Sequence, residues 1–276
     1  LARRRTARRL RSARTSATPQ EAAAGHEYGA DGVGLFRSEF LFMDRDALPT
    51  EDEQFEAYRT AAQTMAGKPL IIRTLDVGGD KKLPTLELPH EDNPFLGFRA
   101  IRMTLSHPEI FRPQLRAILR AAAYGDVRVM FPMIGSMDQL REAKALLREQ
   151  EQTLQAEGVP TGSVKVGMMV EIPAAAVLAE EFAKEVDFFS IGTNDLTQYT
   201  LAVERGNAAV AHLYAPEHPA VLRLIAMTAQ AAAERHIPCG MCGEAAGDPK
   251  LAPAFVGMGV NELSMSRAAF RLSGSS

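Results

Sequence analysis

Val164-Lys-Val-Gly-Met-Met-Val170 is followed directly by Glu171-Ile-Pro173-Ala-Ala-Ala-Val177. A run that is apolar for most of its length reads as a strand covered on both faces. Proline opens helices well, because the N–H it lacks has no partner in the first turn. The stretch therefore reads as one strand ending at Glu171 and one helix starting at Pro173.

The same phrase recurs along the chain. Strands are expected at Val33 to Phe36, Leu70 to Leu75, Val127 to Met133, Phe188 to Ile191, Cys239 to Cys242 and Glu262 to Met265. Amphipathic helices lie between them. Thr50 before Glu51-Asp52-Glu53 predicts a capping box, and Ser136 opens a helix running to about Ala156. Gly67, Gly125 and Gly158 close helices or turns. Seven β-then-α units in order predict a parallel α/β sheet closed as a (β/α)8 TIM-type barrel.

Both ends of the barrel read as incomplete. The segment that ought to carry the first strand is Arg-rich and has no strand character. After Met265 little chain remains for a last helix, and an open barrel would expose two strand edges. The division expected is a basic, disordered or atypical segment over 1–24 and a barrel over 25–276.

Charge is distributed unevenly. Seven arginines (Arg3, Arg4, Arg5, Arg8, Arg9, Arg11, Arg14) precede the first acid, Glu21. The remainder has 24 basic against 34 acidic residues, about −10, which argues against a nucleic-acid partner for the body. The head alone has the composition of a transit peptide or a nucleic-acid arm. No apolar run approaches the ~18 residues of a membrane span. Two cysteines exclude a disulfide framework and fit a reducing compartment, so a cytoplasmic location is expected.

In such barrels the chemistry gathers at the carboxyl ends of strands. Those ends carry Arg37, Arg73, Asp76, Glu171, Asn194, Asp195, Cys242 and Glu244, with Arg205 in the following loop. Arginines suit an anion; paired carboxylates suit magnesium, which takes one or two of them and completes its shell with water and substrate. Each residue also has a plain structural reading. Arg37 could pair with Glu39, Glu171 and Asp195 could cap helices, and Gly78-Gly79 could be an ordinary turn. Cys239-Gly-Met-Cys242 is half a zinc site with no second half, and no two of the histidines have zinc-like spacing. Positions three apart on a strand face opposite sides, which leaves Cys242 as the interesting thiol and Cys239 as packing.

Longer phrases carry a resemblance. Gly32 to Arg45 (GVGLFRSEFLFMDR), Ile71 to Lys81 (IIRTLDVGGDK), Asn93 to Arg102 (NPFLGFRAIR), Met130 to Met133 (MFPM), Val170 to Ala175 (VEIPAA), Ser190 to Asn207 (SIGTNDLTQYTLAVERGN) and Met241 to Glu244 (MCGE) closely resemble the barrel of the phosphoenolpyruvate (PEP)-utilising enzymes. The Asp44 to Phe55 and Gln198 to Asn207 stretches look most like the branch known as enzyme I, which feeds the bacterial sugar phosphotransferase system. Pyruvate phosphate dikinase and PEP synthase share the barrel and are the alternative branches.

The resemblance implies that Arg37, Arg73 and Arg205 hold the phosphate and carboxylate of PEP, with Asn194 beside the phosphate and Arg99 as a further site arginine. It implies magnesium on Glu171 and Asp195, and Cys242 as the acid that protonates the enolate when pyruvate forms. It also implies a homodimer, and partnership with a phosphohistidine domain and a phosphocarrier protein. None of the six histidines has the Gly-rich context of the family's phospho-accepting histidine, and Arg267-Ala-Ala-Phe-Arg-Leu272 departs from the family pattern. A phosphoryl-transferring fragment is therefore the leading expectation, with a degenerate module that only binds PEP as the other.

Overall fold

Eight strands pair in parallel and in chain order, and the last closes on the first. They are β1 (Arg11–Ser16), β2 (Gly32–Arg37), β3 (Leu70–Arg73), β4 (Val127–Phe131), β5 (Lys165–Val170), β6 (Phe188–Gly192), β7 (Cys239–Cys242) and β8 (Glu262–Met265). The computed structural model describes residues 10–16, 18–22, 30–79, 83, 85–86 and 88–265. The far N-terminal arginines, the Gly25 boundary, Asp80-Lys81 and the Arg267 to Leu272 stretch lie outside the described residues.

The expected gap at the first strand is not present. Arg11-Ser-Ala-Arg-Thr-Ser16 pairs with β8 (Arg11↔Glu262 to Arg14↔Met265) and with β2 (Ala13↔Gly32 to Ser16↔Phe36). A strand needs only backbone donors and acceptors on both sides, and β2 and β8 supply them. At Ala13 a small side chain is what the position demands. A Cβ added at Gly34 would stand 3.1 Å from the Ala13 Cβ, so bulk on β1 would collide with β2 inside the barrel. Thr15 Oγ1 lies 3.2 Å from Ser264 Oγ, tying β1 to β8. The barrel consequently has no open edge at β1, which removes the expected aggregation hazard.

The helices start where the sequence signals them. In α1 (Glu51–Thr64) Thr50 Oγ1 accepts from the Glu53 N–H at 3.2 Å, while Glu53 Oε2 accepts from the Thr50 N–H at 2.7 Å. Next come α2 (Pro108–Ala121) and α3 (Met137–Ala156), the latter capped by Ser136 on the Gln139 N–H. Pro173 is the first residue of a short helix, Pro173–Val177. After β6 comes α4 (Thr193–Leu201), and before β7 comes α5 (Pro219–Glu234).

Three apolar clusters result among the described residues, one of them around Phe42, Leu75, Val77, Leu83, Met103 and Ile110; the other two frame the site. The larger lies between the strands and the helices and includes Cys239. The smaller plugs the barrel interior with Leu35, Ile71, Met130, Met169, Phe188 and Cys242. Gly167 makes that plug possible, since a Cβ there would come within 2.4 Å of the Phe188 ring. The plug forms a dry floor beneath the carboxyl ends of the strands, and the polar residues gather above it.

Candidate functional site

A cavity of about 280 Å3 opens above this floor. Thr15 of β1, Arg37 of β2, Arg73 of β3, Glu171 after β5, Asn194 and Asp195 of α4, Arg205 and Cys242 all line it. Two larger hollows, of about 460 and 550 Å3, lie beside residues 78–98 and hold none of these groups. The smaller cavity is the one with the chemistry.

Of the three arginines that line the cavity, Arg73 is the most constrained. Its Nη2 donates to Glu39 Oε1 at 2.6 Å and its Nη1 stands 3.0 Å from Asp76 Oδ2. Burial by itself would weaken its hold on its proton, but Glu39, Asp76 and Glu171 reverse that and hold the guanidinium charged. The Arg37–Glu39 pair considered from the sequence does not form; Glu39 serves Arg73 instead. Arg37 lies with its guanidinium 4.7 Å above the Phe40 ring, and its buried Nε has no hydrogen-bond partner among the described residues. Such an orphaned donor at a cavity wall is a place for an anion oxygen.

Neither carboxylate caps a helix. Glu171 Oε1 accepts the Met133 N–H at 2.7 Å, and Met133 holds that N–H in place with a left-handed backbone, φ 56°. A strained non-glycine residue at a strand end is the kind of feature that marks sites. The Glu171 carboxylate lies against bare backbone, because a Cβ on Gly192 would be 2.9 Å from Oε2. Burial first, then the charges of Asp195 and Asp76, push the Glu171 carboxyl up to about 8 against the pull of Arg99 and Arg73. Mutually repelling carboxylates of this kind fit a divalent cation, and magnesium needs only one or two of them.

Asn194 Oδ1 accepts the Glu244 N–H at 3.2 Å, which leaves its amide NH2 for the cavity. Gly243 has φ 102°, and a Cβ there would stand 2.3 Å from Thr193 Oγ1, so glycine is required where β7 turns under Asn194. Arg205 stands at the mouth, with Nη1 3.9 Å from Glu244 Oε1. Arg99 does not line the cavity; it reaches Asp195 from behind. Its Nη1 and Nη2 donate to the two Asp195 oxygens at 3.1 Å each, and its Nε donates to Asp76 Oδ1 at 3.1 Å.

Cys242 borders both the apolar floor and the charged cavity. Ser190 Oγ is 3.8 Å from its sulfur, and the thiol points to the Ile191 carbonyl at 3.6 Å. Burial pushes the thiol up to about 11, with Arg73 pulling the other way. At neutral pH the group is therefore a protonated thiol, with a proton it can give. Sequence reasoning missed Thr15, Met133 and Tyr199, the last with its hydroxyl 3.1 Å from Arg99 Nη1. Thr15 was hidden in an unrecognised strand, and Met133 shows only in its φ.

The raised Glu171 carboxyl has a consequence for stability. In the unfolded chain an ordinary Glu ionises near 4.5, whereas folded Glu171 holds its proton to about 8. The folded state binds more protons in between, so this group's stabilisation is complete below 4.5 and is lost as pH rises through 8. Urea denaturation at pH 5, 6.5 and 8 is expected to show a decline that Glu171→Gln flattens. Parallel pH profiles for the two proteins would contradict the assignment.

The fold is a closed (β/α)8 barrel whose strand ends bring cations, carboxylates and a protonated thiol to one small cavity. The chain belongs to the PEP-utilising enzymes: the family described as "PEP-utilising enzyme, PEP-binding domain" matches residues 7–272. It is 56% identical over 250 residues to phosphoenolpyruvate-protein phosphotransferase of Geobacillus stearothermophilus, covering 90% of this chain and 43% of that protein. It is 55% identical to the protein of that name from Bacillus subtilis (strain 168), over 90% of this chain and 44% of the relative. The chain thus spans less than half the length of these relatives. Solved structures add the fold alone. An HpcH/HpaI aldolase/citrate lyase family protein of Burkholderia cenocepacia superposes with a TM-score of 0.58 at 17% identity, covering 98% of this chain and 93% of that one. A Haloferax volcanii malate synthase gives 0.58 at 14%, covering 99% and 74%.

Proposed function

We propose that this domain binds PEP with magnesium and carries the pyruvate side of phosphoryl transfer to a histidine on another domain. The observation that carries the reading is the meeting of Arg37, Arg73, Arg205, Glu171, Asp195 and Cys242 in one cavity of about 280 Å3. A small phosphorylated acid needs cations for phosphate and carboxylate, and the three arginines come from three separate elements. Arg37 and Arg205 are the freer two and fit the mobile substrate; Arg73 is fixed by Glu39 and Asp76 and sets the floor.

The chemistry follows from what these groups can do. The P–O bond to the enol oxygen breaks, its electrons stay on that oxygen, and the phosphorus passes to the incoming histidine nitrogen. The resulting enolate gains a proton at its methylene carbon, and Cys242 holds that proton above the apolar floor. Glu171 and Asp195 would hold magnesium, which supplies electrostatic stabilisation of the phosphate and enolate oxygens when bound. The Asn194 amide would orient a phosphate oxygen, its Oδ1 being taken by the Glu244 N–H.

The relatives named phosphoenolpyruvate-protein phosphotransferase favour that branch over a dikinase or PEP synthase. The closed barrel takes away the main reason to expect a non-catalytic module. On this reading the histidine belongs to a partner domain and passes its phosphoryl group to a phosphocarrier protein for sugar uptake. Both cysteines are free and buried, which accords with a reducing, cytoplasmic setting. No helix among the described residues is long and apolar enough to cross a membrane.

Calorimetric titration of PEP is expected to show magnesium-dependent binding that Asp195→Ala abolishes, a loss of at least about 100-fold from removing a carboxylate of a charged site. PEP binding that ignores both magnesium and Asp195 would sink the reading. A homodimer is also part of this proposal. Light scattering is expected to give twice the 30.0 kDa chain mass at micromolar concentrations, and a monomer mass throughout would remove it.

A further inference from the structure

Arg99 occupies both oxygens of Asp195, one of the two carboxylates proposed to receive the cation. Its guanidinium has two working edges. Nη1 and Nη2 grip Asp195 Oδ1 and Oδ2 at 3.1 Å each. Nε and Nη2 grip Asp76 Oδ1 and Oδ2 at 3.1 and 3.3 Å. The two carboxylates differ in setting: the Asp76 side chain is 0% exposed and that of Asp195 is 16% exposed at the cavity. Charge-assisted bonds are stronger where water is excluded, so the Asp76 edge is the firmer one.

A third contact limits where Arg99 can go. Nη1 also donates to the Tyr199 hydroxyl at 3.1 Å, and that hydroxyl in turn donates to the Phe95 carbonyl. Phe95 places its ring 5.8 Å from the Arg99 guanidinium carbon. Asp76, Tyr199 and Phe95 thus hold Arg99 on the sides away from Asp195.

We propose that Arg99 is the resident counter-cation of Asp195, seated in competition with the incoming divalent ion, and that Asp76 is the pivot that keeps Arg99 at the site once Asp195 is released. This rests on the reading of Asp195 as a metal ligand. The charge argument is direct. Asp76, Asp195 and Glu171 place three carboxylates around Arg99, and the guanidinium offsets them while no ion is bound. A divalent charge on Asp195 repels the guanidinium at short range and makes its contribution there redundant. The edge so released carries two N–H donors at the back of the cavity, where an anion can take them. Arg99 is therefore a positioning residue whose release couples the cation to the anion, and coupling of this kind is reciprocal between the two ligands.

The experiment is a titration of the chain with Mn2+ alone, with free Mn2+ followed by electron paramagnetic resonance in the absence of any substrate. Four proteins are compared: the unaltered chain, Arg99→Gln, Tyr199→Phe and Asp195→Ala. Removing the competitor is expected to tighten Mn2+ binding, by about tenfold in Arg99→Gln. Loosening it is expected to tighten Mn2+ by about two- to threefold in Tyr199→Phe, in which only one acceptor of Arg99 is lost. Mn2+ binding that is unchanged or weaker in Arg99→Gln overturns the proposal. Should Arg99→Gln fail to show a cooperative melt, Tyr199→Phe decides by the same criterion. Asp195→Ala separates the two levels. Loss of Mn2+ there upholds the ligand reading whatever the other variants do, whereas undiminished binding removes that reading and the competition with it.

Discussion

In D2O with magnesium, this chain is expected to exchange the methyl protons of pyruvate for deuterium, and Cys242→Ala is expected to slow that exchange by about 10²–10⁴-fold, the range of a positioned acid or base. Protonating the enolate and removing a methyl proton from pyruvate are one step run in two directions. The exchange therefore tests the proton donor without the phosphohistidine domain. Cys242 suits the task because burial holds its thiol protonated up to about 11, so it reaches the enolate as S–H. Its contacts with Ser190 Oγ and the Ile191 carbonyl are long, at 3.8 and 3.6 Å, so little is lost when the proton leaves. Loss of the signal from the pyruvate methyl in proton NMR measures the rate. Exchange that is as fast in Cys242→Ala as in the unaltered chain would assign the proton to another group.

Where the sequence was legible, and where it was not, follows from what each residue depends on. β5 could be read because residues 167–170 are buried on both faces and their apolarity records that. β1 could not. Arg11–Ser16 is held by the backbones of β2 and β8, and its side chains answer to the crowding around Gly34, which no pattern within the strand reveals. Helix starts were legible at Thr50 and Ser136 because capping is a contact between residues three apart.

Site membership could be read from strand ends; the pairing within the site could not. Arg37 and Arg73 are partners across the β2–β3 ladder. Glu39 sits in the 3-10 turn Ser38–Leu41, which folds over the end of β2 and carries the carboxylate to the neighbouring strand's arginine. Proximity in sequence pointed to Arg37. In the same way, the Arg99 grip on Asp76 and Asp195 spans 23 and 96 positions and depends on three separate elements. Spacing alone carries no trace of it.

The two arginines that face each other across that ladder are expected to fail differently when removed. Arg73 is 5% exposed, and its carboxylate partners Glu39 and Asp76 are 1% and 0% exposed. Arg73→Ala takes the 2.6 Å partner from Glu39 and one of the cations from Asp76, and breaking a buried pair in this way costs about 3–5 kcal/mol. Arg37 has no ion pair among the described residues and rests on the exposed Phe40 ring, so Arg37→Ala is expected to change stability by less than about 1 kcal/mol. Both variants should lose PEP affinity, and urea denaturation separates them. Combining Arg73→Ala with Glu39→Gln removes the stranded charge and is expected to recover part of the stability, though not the binding. Equal stability of the two single variants would mean that Glu39 and Asp76 draw enough compensation from Arg99 and the rest of the network to do without Arg73. In that case Arg73 would be held in place for its ligand alone, and its burial would be a cost carried for function.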